Sequence, residues 1–268
     1  MTEFDKEVSN RIISNSKNQE IQDSASLFLK TSILQKYSYN FSWLGRPIVQ
    51  YPQDILAMQE LIWTIQPDLI IETGIAHGGS LIFSASMLAL LDMAEAIELG
   101  VDMDPKTSIR KVLGVDIDIR RHNRIAIEAH PMSSRIRTIE GSSIAPGIID
   151  QVKEIAKDYK RVLVCLDSNH THEHVLAELG AYAPLVTKSS YCVVFDTIIE
   201  DLPDGMFPDR PWGKGNNPKT AVYEYLRRLE SNKETDNSDQ DIEFEVVNEI
   251  DSKLLISVAP SGYLRRLR

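Results

Sequence analysis

Cysteine is scarce in this chain: Cys165 and Cys192 are the two among 268 residues. Two thiols set in apolar runs make neither a disulfide framework nor a zinc cage, and they read as buried thiols of a reducing compartment. Basic charge is short as well, with 29 Lys and Arg against 39 Asp and Glu and a formal net charge of −10. Binding to nucleic-acid phosphates needs a basic face, and the terminal Arg265-Arg266-Leu267-Arg268 is too small to make one. No apolar leader opens the chain, since Met1 to Glu20 is polar and mixed in charge. Thr73 to Leu91 lacks Asp, Glu, Lys and Arg, but its apolar part starts only at Leu81. That is short of the ~20 residues a membrane span needs. The expectation is a soluble cytoplasmic protein with neither nucleic acid nor membrane as a partner.

What is present is ordinary globular material, 43% hydrophobic and 25% charged, in a length that suits one α/β domain. Residues 1–50 read as a helical extension with scattered apolar positions (Ile13, Leu27, Leu29, Ile33, Leu34), and 51–268 as the main domain. Those N-terminal apolar positions suit a homo-oligomer interface. Asp54 is expected to cap a helix carrying Ile55, Met58, Leu61, Ile62 and Ile65. Four short apolar runs then alternate with helical segments: 69–71, 112–115, 162–166 and 191–195. Such runs predict buried parallel strands in a doubly wound α/β sheet, with a weaker strand at 137–140. Asp92 to Lys111 looks like an insertion. The segments 242–247 and 254–258 alternate well enough for an antiparallel pair closing one sheet edge.

Each clear run ends in an acid: Glu72, Asp116, Asp167 and Asp196. One acid after a strand is ordinarily a turn or helix cap. Four of them gather at one crevice, because open parallel sheets bind ligands beyond the carboxyl ends of their strands. After Glu72 comes Gly74-Ile75-Ala76-His77-Gly78-Gly79-Ser80, a glycine-rich turn opening a helix. It is neither a nicotinamide fingerprint nor a phosphate loop, which disfavours a dehydrogenase. It suits a nucleoside without phosphates, with Asp116 placed to accept the ribose hydroxyls. Adenosine joined to a cationic group fits so acidic a pocket, and S-adenosylmethionine is the candidate.

The third run continues Asp167-Ser168-Asn169-His170-Thr171-His172-Glu173-His174. The alternate histidines would share a face only on a strand, and this segment begins a helix, so a tri-histidine metal site is disfavoured. Asp167 and Asp196 offer hard oxygens suited to Mg²⁺, and His170 is of the residue type suited to a general base, a structural cap being its other reading. The Pro- and Gly-rich stretch Thr197 to Lys219 is long enough to be functional, with Arg210, Trp212 and Asn217 suited to a polar acceptor such as a sugar.

These segments resemble the cephalosporin hydroxylase-like family, which includes rhamnosyl and other sugar O-methyltransferases. The resemblance rests on Phe41-Ser-Trp-Leu-Gly-Arg-Pro47, IIETGIAHGGS, VLGVDID, DSNHTHEHVLAEL, and FDTIIEDLP through DRPWGKGNNPKTAVYEYL, over about residues 40–230. It implies a Rossmann-like seven-stranded sheet of the class I methyltransferase type. It also implies S-adenosylmethionine contacts from Glu72, Gly74, His77, Gly78, Gly79, Ser80, Asp116, Ser142, Ser143 and Asp167. Asp167 would bind Mg²⁺ and His170 would match the base, the acceptor being a sugar or glycosylated small molecule. Metal-dependent relatives usually carry paired acids or Asp-Asn after the fifth strand, whereas here the sequence reads Phe195-Asp196-Thr197. Glu200 or Asp201 are candidates for the missing oxygen. The weakened ligand set leaves a second reading open, a non-catalytic cofactor-binding subunit of an oxidising partner.

Overall fold

The computed structural model describes residues 2–232 and 241–268. Helices α1 (Glu3–Lys17) and α2 (Gln19–Leu34) come first, followed by a hairpin of β1 (Phe41–Trp43) and β2 (Arg46–Ile48) where the sequence suggested only a turn-rich linker. Next come α3 (Pro52–Ile65), β3 (Leu69–Thr73), α4 (Gly79–Leu99), β4 (Lys111–Asp116), α5 (Arg121–Glu128), β5 (Ile136–Glu140) and α6 (Pro146–Ala156). The chain continues through β6 (Val162–Leu166), α7 (His172–Tyr182), β7 (Tyr191–Val194), α8 (Pro218–Asn232), β8 (Phe244–Val246), α9 (Asn248–Leu254) and β9 (Tyr263–Arg266).

Seven strands form one sheet in the order β5-β4-β3-β6-β7-β9-β8. Neighbours among β3 to β7 are parallel, and β9 runs antiparallel to both β7 and β8. The period-two alternation of each strand feeds two cores. Leu69, Ile71, Val162 and Val164 pack with Val152, Leu179 and Tyr225 of α6, α7 and α8. Ile70, Val112, Leu163 and Cys165 pack with Met58, Ile62 and Leu88 of α3 and α4 on the other face. Each such side chain, fully buried, contributes roughly 1.5–3 kcal/mol. The doubly wound sheet is therefore as expected, with the order reversing at β3 and β6. That reversal opens a crevice at their carboxyl ends.

Three local expectations change. The insertion is shorter than 92–111, because α4 runs on to Leu99. By length and composition α4 is apolar enough to cross a membrane, yet it is a core helix, with Leu81, Ile82, Phe83, Ala85, Leu88 and Leu91 buried. The edge pair exists, but β8 pairs with 263–266 rather than 254–258. Residues 254–258 instead end α9, with Leu255 in the left-handed region at φ 61°. Asp54 is not the cap, a place held by Tyr51. It lies fully buried in the first turn of α3, accepting from Ser257 Oγ (2.6 Å), Val258 N (3.0 Å) and Tyr263 OH (2.9 Å). Burial pushes it up to about 6, against those three donors. Helix α3 thus anchors the C-terminal segment that feeds β9.

Candidate active site

The crevice is stitched from the ends of β3, β4 and β6. Gly74 N donates to Val115 O at 2.8 Å and Asp167 N donates to Thr73 O at 2.9 Å, so the turns after β3 and β6 touch. Gly74 has φ 81°, and a Cβ there would meet Asp167 O at 2.1 Å. Glycine is required on both counts.

Strand parity sends the buried Glu72 toward the α4 face, where Ser80 donates to its Oε1. Burial pushes Glu72 up to about 7; the Ser80 bond opposes that rise and the Asp116 charge adds to it. Asp116 accepts from Ile75 N at 2.9 Å and Asp118 N at 3.1 Å, one on each oxygen. Each oxygen keeps a further lone pair. Asp116 therefore shapes the glycine-rich turn as well as facing the crevice. Gly78 sits at φ 81° as the residue before α4, and a Cβ on Gly79 would meet Pro47 O at 2.1 Å. The β1–β2 hairpin is packed directly on this turn.

Ser142 is half-buried after β5, whereas Ser143 is buried and faces away toward α7. Its Oγ lies 3.0 Å from His174 Nε2, and its carbonyl accepts from Tyr182 OH at 2.5 Å. His174 also lies 3.3 Å from Ser168 Oγ, which donates to the fully buried Glu178 at 2.6 Å. This buried network, unseen in the sequence reading, ties the turn after β5 to the residue beside Asp167. Glu178 inside the 3.6-residue pattern of α7 was the one signal for it.

On the β6–β7 side, Asp167, His170 and Asp196 bring one ligand atom each within 4.8 Å of one another. His170 Nε2 is 3.2 Å from Asp196 Oδ2. Asp196 sits in the left-handed region at φ 55°, a conformation open to aspartate at modest cost. Burial holds the Asp167 carboxyl well above its ordinary range, with Asp196, Glu72, Glu178 and Asp54 pushing the same way. Among the described residues, no Lys or Arg forms an ion pair with Glu72, Asp116, Asp167 or Asp196. The crevice is therefore an uncompensated acidic hollow, suited to cations.

The three histidines diverge, as a helix start requires: His170 to Asp196, His172 to Thr220 (2.8 Å) and His174 to the buried network. Glu200 and Asp201 are engaged elsewhere. Glu200 accepts from Gly215 N at 2.7 Å and from Asn217 Nδ2 at 2.5 Å. Asp201 takes Lys219 Nζ at 2.5 Å. They pin the long loop after β7 and are not members of the cluster. Asn217 Oδ1 in turn accepts from Lys219 N and Thr220 N at the start of α8. Trp212 sits at the tip, its ring edge-on to His170 at 5.8 Å between centroids and to Phe207 at 5.2 Å. Phe207, Arg210 and Trp212 line a cavity of about 220 Å³ in this loop.

Comparison with known proteins follows the same lines. The family model described as Rhamnosyl O-methyltransferase/CmcI matches residues 35–267. The chain is 29% identical over 196 residues to the rhamnosyl O-methyltransferase of Mycobacterium leprae (strain TN), covering 73% of this chain and 74% of that one. It is 29% identical over 173 residues to the rhamnosyl O-methyltransferase of Mycobacterium tuberculosis (strain ATCC 25618 / H37Rv), covering 64% of this chain and 60% of that relative. A solved CmcI structure with Mg and SAM shares the fold, with a TM-score of 0.55 at 16% identity over 86% of this chain and 78% of that one. The chain belongs to the rhamnosyl O-methyltransferase/CmcI family and is a methyltransferase built on the class I fold.

Proposed function

We propose that this protein transfers the methyl group of S-adenosylmethionine to a hydroxyl of a sugar or glycosylated small molecule, with Mg²⁺ held by Asp167 and Asp196 and with His170 as the base. The convergence of Asp167, His170 and Asp196 within 4.8 Å carries the reading. The M. leprae and M. tuberculosis relatives are rhamnosyl O-methyltransferases, and the CmcI structure holds both Mg and SAM.

The donor set fits Mg²⁺: two carboxylates with no Lys or Arg ion-pair partner among the described residues stand beside an imidazole. Mg²⁺ takes carboxylate oxygens in preference to nitrogen, which leaves His170 for proton transfer. When bound, the ion supplies Lewis-acid stabilisation of negative charge on the acceptor oxygen. The cofactor is read onto Glu72, the turn from Gly74 to Ser80 with His77, Gly78 and Gly79, Asp116, Ser142 and Asp167. Ser143 acts there through its backbone, since its hydroxyl is bonded to His174.

In the reaction, the acceptor oxygen attacks the sulfonium methyl carbon in line with the C–S bond. That bond breaks with its electron pair passing to sulfur, giving S-adenosylhomocysteine. The hydroxyl proton goes to the His170 imidazole. His170 Nε2 lies 3.2 Å from Asp196 Oδ2, within reach of a hydrogen bond from a protonated Nε2. Asp196 thereby stabilises the imidazolium that forms. The acidic hollow also favours the positively charged donor over its neutral product. Trp212, beside His170, offers a face for the acceptor ring. The non-catalytic subunit reading has no support: the family is one of methyltransferases, and base and carboxylates are assembled together.

We also place the protein in the cytoplasm, where its cofactor is made and its buried thiols Cys165 and Cys192 stay reduced. Copies are taken to associate through Phe4, Leu27, Phe28, Leu34, Leu56 and Trp63, apolar and exposed on α1 to α3. The test is methyl transfer from labelled S-adenosylmethionine across a panel of rhamnosides and other glycosides, with Mg²⁺ and with EDTA. Labelled glycoside that depends on the metal supports the reading. Failure to bind S-adenosylhomocysteine in calorimetry overturns it.

A further inference from the structure

We infer that Arg46 and Asn123 are positioning residues for the cofactor half of the site: together they clamp the glycine-rich turn in the shape that admits the adenosyl donor. The inference rests on reading that turn as the cofactor site. Three left-handed positions fall within five residues there, Gly74 (φ 81°), Ala76 (φ 43°) and Gly78 (φ 81°). Ala76 has a Cβ and does not hold that conformation without help, because the left-handed region is sterically costly for it.

The help comes from outside the turn. Asn123 Nδ2, on α5, donates to Ala76 O at 3.0 Å. Arg46, on β2, donates from Nε to His77 O at 3.1 Å and from Nη2 to the same carbonyl. The two clamp residues bond each other, Arg46 Nη2 to Asn123 Oδ1 at 3.0 Å. Asn123 is 3% exposed, so its amide has no water to turn to instead. Consecutive carbonyls of the turn are thus fixed from one side, and peptide planarity then sets the direction of the N–H groups that follow them. Packing seats both carriers: a Cβ on Gly78 would meet Ile127 of α5 at 2.5 Å, and one on Gly79 would meet Pro47 O beside Arg46. Arg46 stands in the Phe41-to-Pro47 segment, which had no assigned role. Neither clamp residue belongs to the Asp167–His170–Asp196 cluster.

A clamp on the donor's turn acts on cofactor affinity and leaves the chemical step alone. Arg46→Gln loses the fork and is expected to raise the KM for S-adenosylmethionine and the Kd for S-adenosylhomocysteine about tenfold, the worth of one charge-assisted hydrogen bond. Its kcat at saturating cofactor and its acceptor KM stay within about twofold of the parent. Arg46→Lys, which restores one donor, recovers part of the affinity. Asn123→Ser removes the Ala76 bond and the acceptor for Arg46 Nη2 while leaving the Arg46 bonds to His77 O, and it shifts cofactor KM in the same direction, so it carries the test if Arg46→Gln does not fold. Hydrogen exchange of the 74–80 amides without ligand speeds up in each variant. Cofactor affinity unchanged in folded variants, or a fall in kcat with unchanged cofactor KM, overturns the clamp. If the parent itself ignores S-adenosylhomocysteine, it is the cofactor reading that falls.

Discussion

On one side of the β3–β6 crevice the wall is backbone, a turn whose glycines admit no side chain and whose carbonyls are held from behind by Arg46 and Asn123. On the other side the surface is charge: Asp167, His170 and Asp196 meet there from two different strand ends. The first half is sensitive to volume and backbone shape. The second is sensitive to ionisation and to the loss of single atoms. Substitutions therefore ought to separate binding from chemistry, and the contrast is tested most directly where each half is most vulnerable.

The largest effect is expected at Asp167. Asp167→Asn keeps the shape but removes a charged oxygen, and methyl transfer should fall by about 10⁴-fold, the several kcal/mol expected of Lewis-acid assistance. A Mg²⁺ titration of initial rates would read this loss, and parent-like rates in EDTA would break the comparison at its charged half. Next comes His170→Ala, with a drop in kcat of about 10³-fold while S-adenosylhomocysteine affinity in calorimetry stays near that of the parent. Near-parental turnover would show that His170 is not the base.

Gly74→Ala attacks the other half. Its Cβ would fall 2.1 Å from Asp167 O at a positive φ, and a loss of about 4 kcal/mol in unfolding free energy is expected from overpacking plus backbone strain. Denaturant unfolding measures it, and an unchanged midpoint would mean the two turns are not in contact. The smallest effect concerns Glu72, pushed by burial up to about 7 from an ordinary 4.5. The folded state holds that proton where the unfolded state has lost it. Stability from this group is therefore full below about pH 4 and is lost as pH rises through about 7, on the order of 3 kcal/mol in all. Glu72→Gln should flatten that pH dependence in thermal melts across pH 4 to 8; an unaltered slope would assign it to Asp54 instead.

How much of this was readable beforehand follows from what each feature depends on. The runs 69–71, 162–166 and 191–195 were legible because a strand covered on both faces is largely apolar. Asp167 and Asp196 were legible for the same reason, since polarity returns where the strand ends, whereas Glu72 lies inside β3, paired with Gly114 and Cys165. The 263–266 strand was not: Tyr263-Leu264-Arg265-Arg266 carries exposed and paired arginines, and its pairing with β7 and β8 is non-local. Asp54 looked like a cap because caps and buried anchors have the same residue type. Only the arrival of Ser257, Val258 and Tyr263 from two hundred residues away distinguishes them. Glu200 and Asp201 likewise read as spare ligands until Asn217 and Lys219 came to claim them.

The order of residues alone settled the alternation of strands and helices, the glycine-rich turn after Glu72 and the acids at the strand ends, because burial periodicity and turn chemistry act over a few neighbours. Folding decided which acids meet, which histidine faces them and which carbonyls Arg46 and Asn123 hold. Those outcomes depend on strand order and on side chains far apart along the chain, and a one-dimensional pattern does not carry distances.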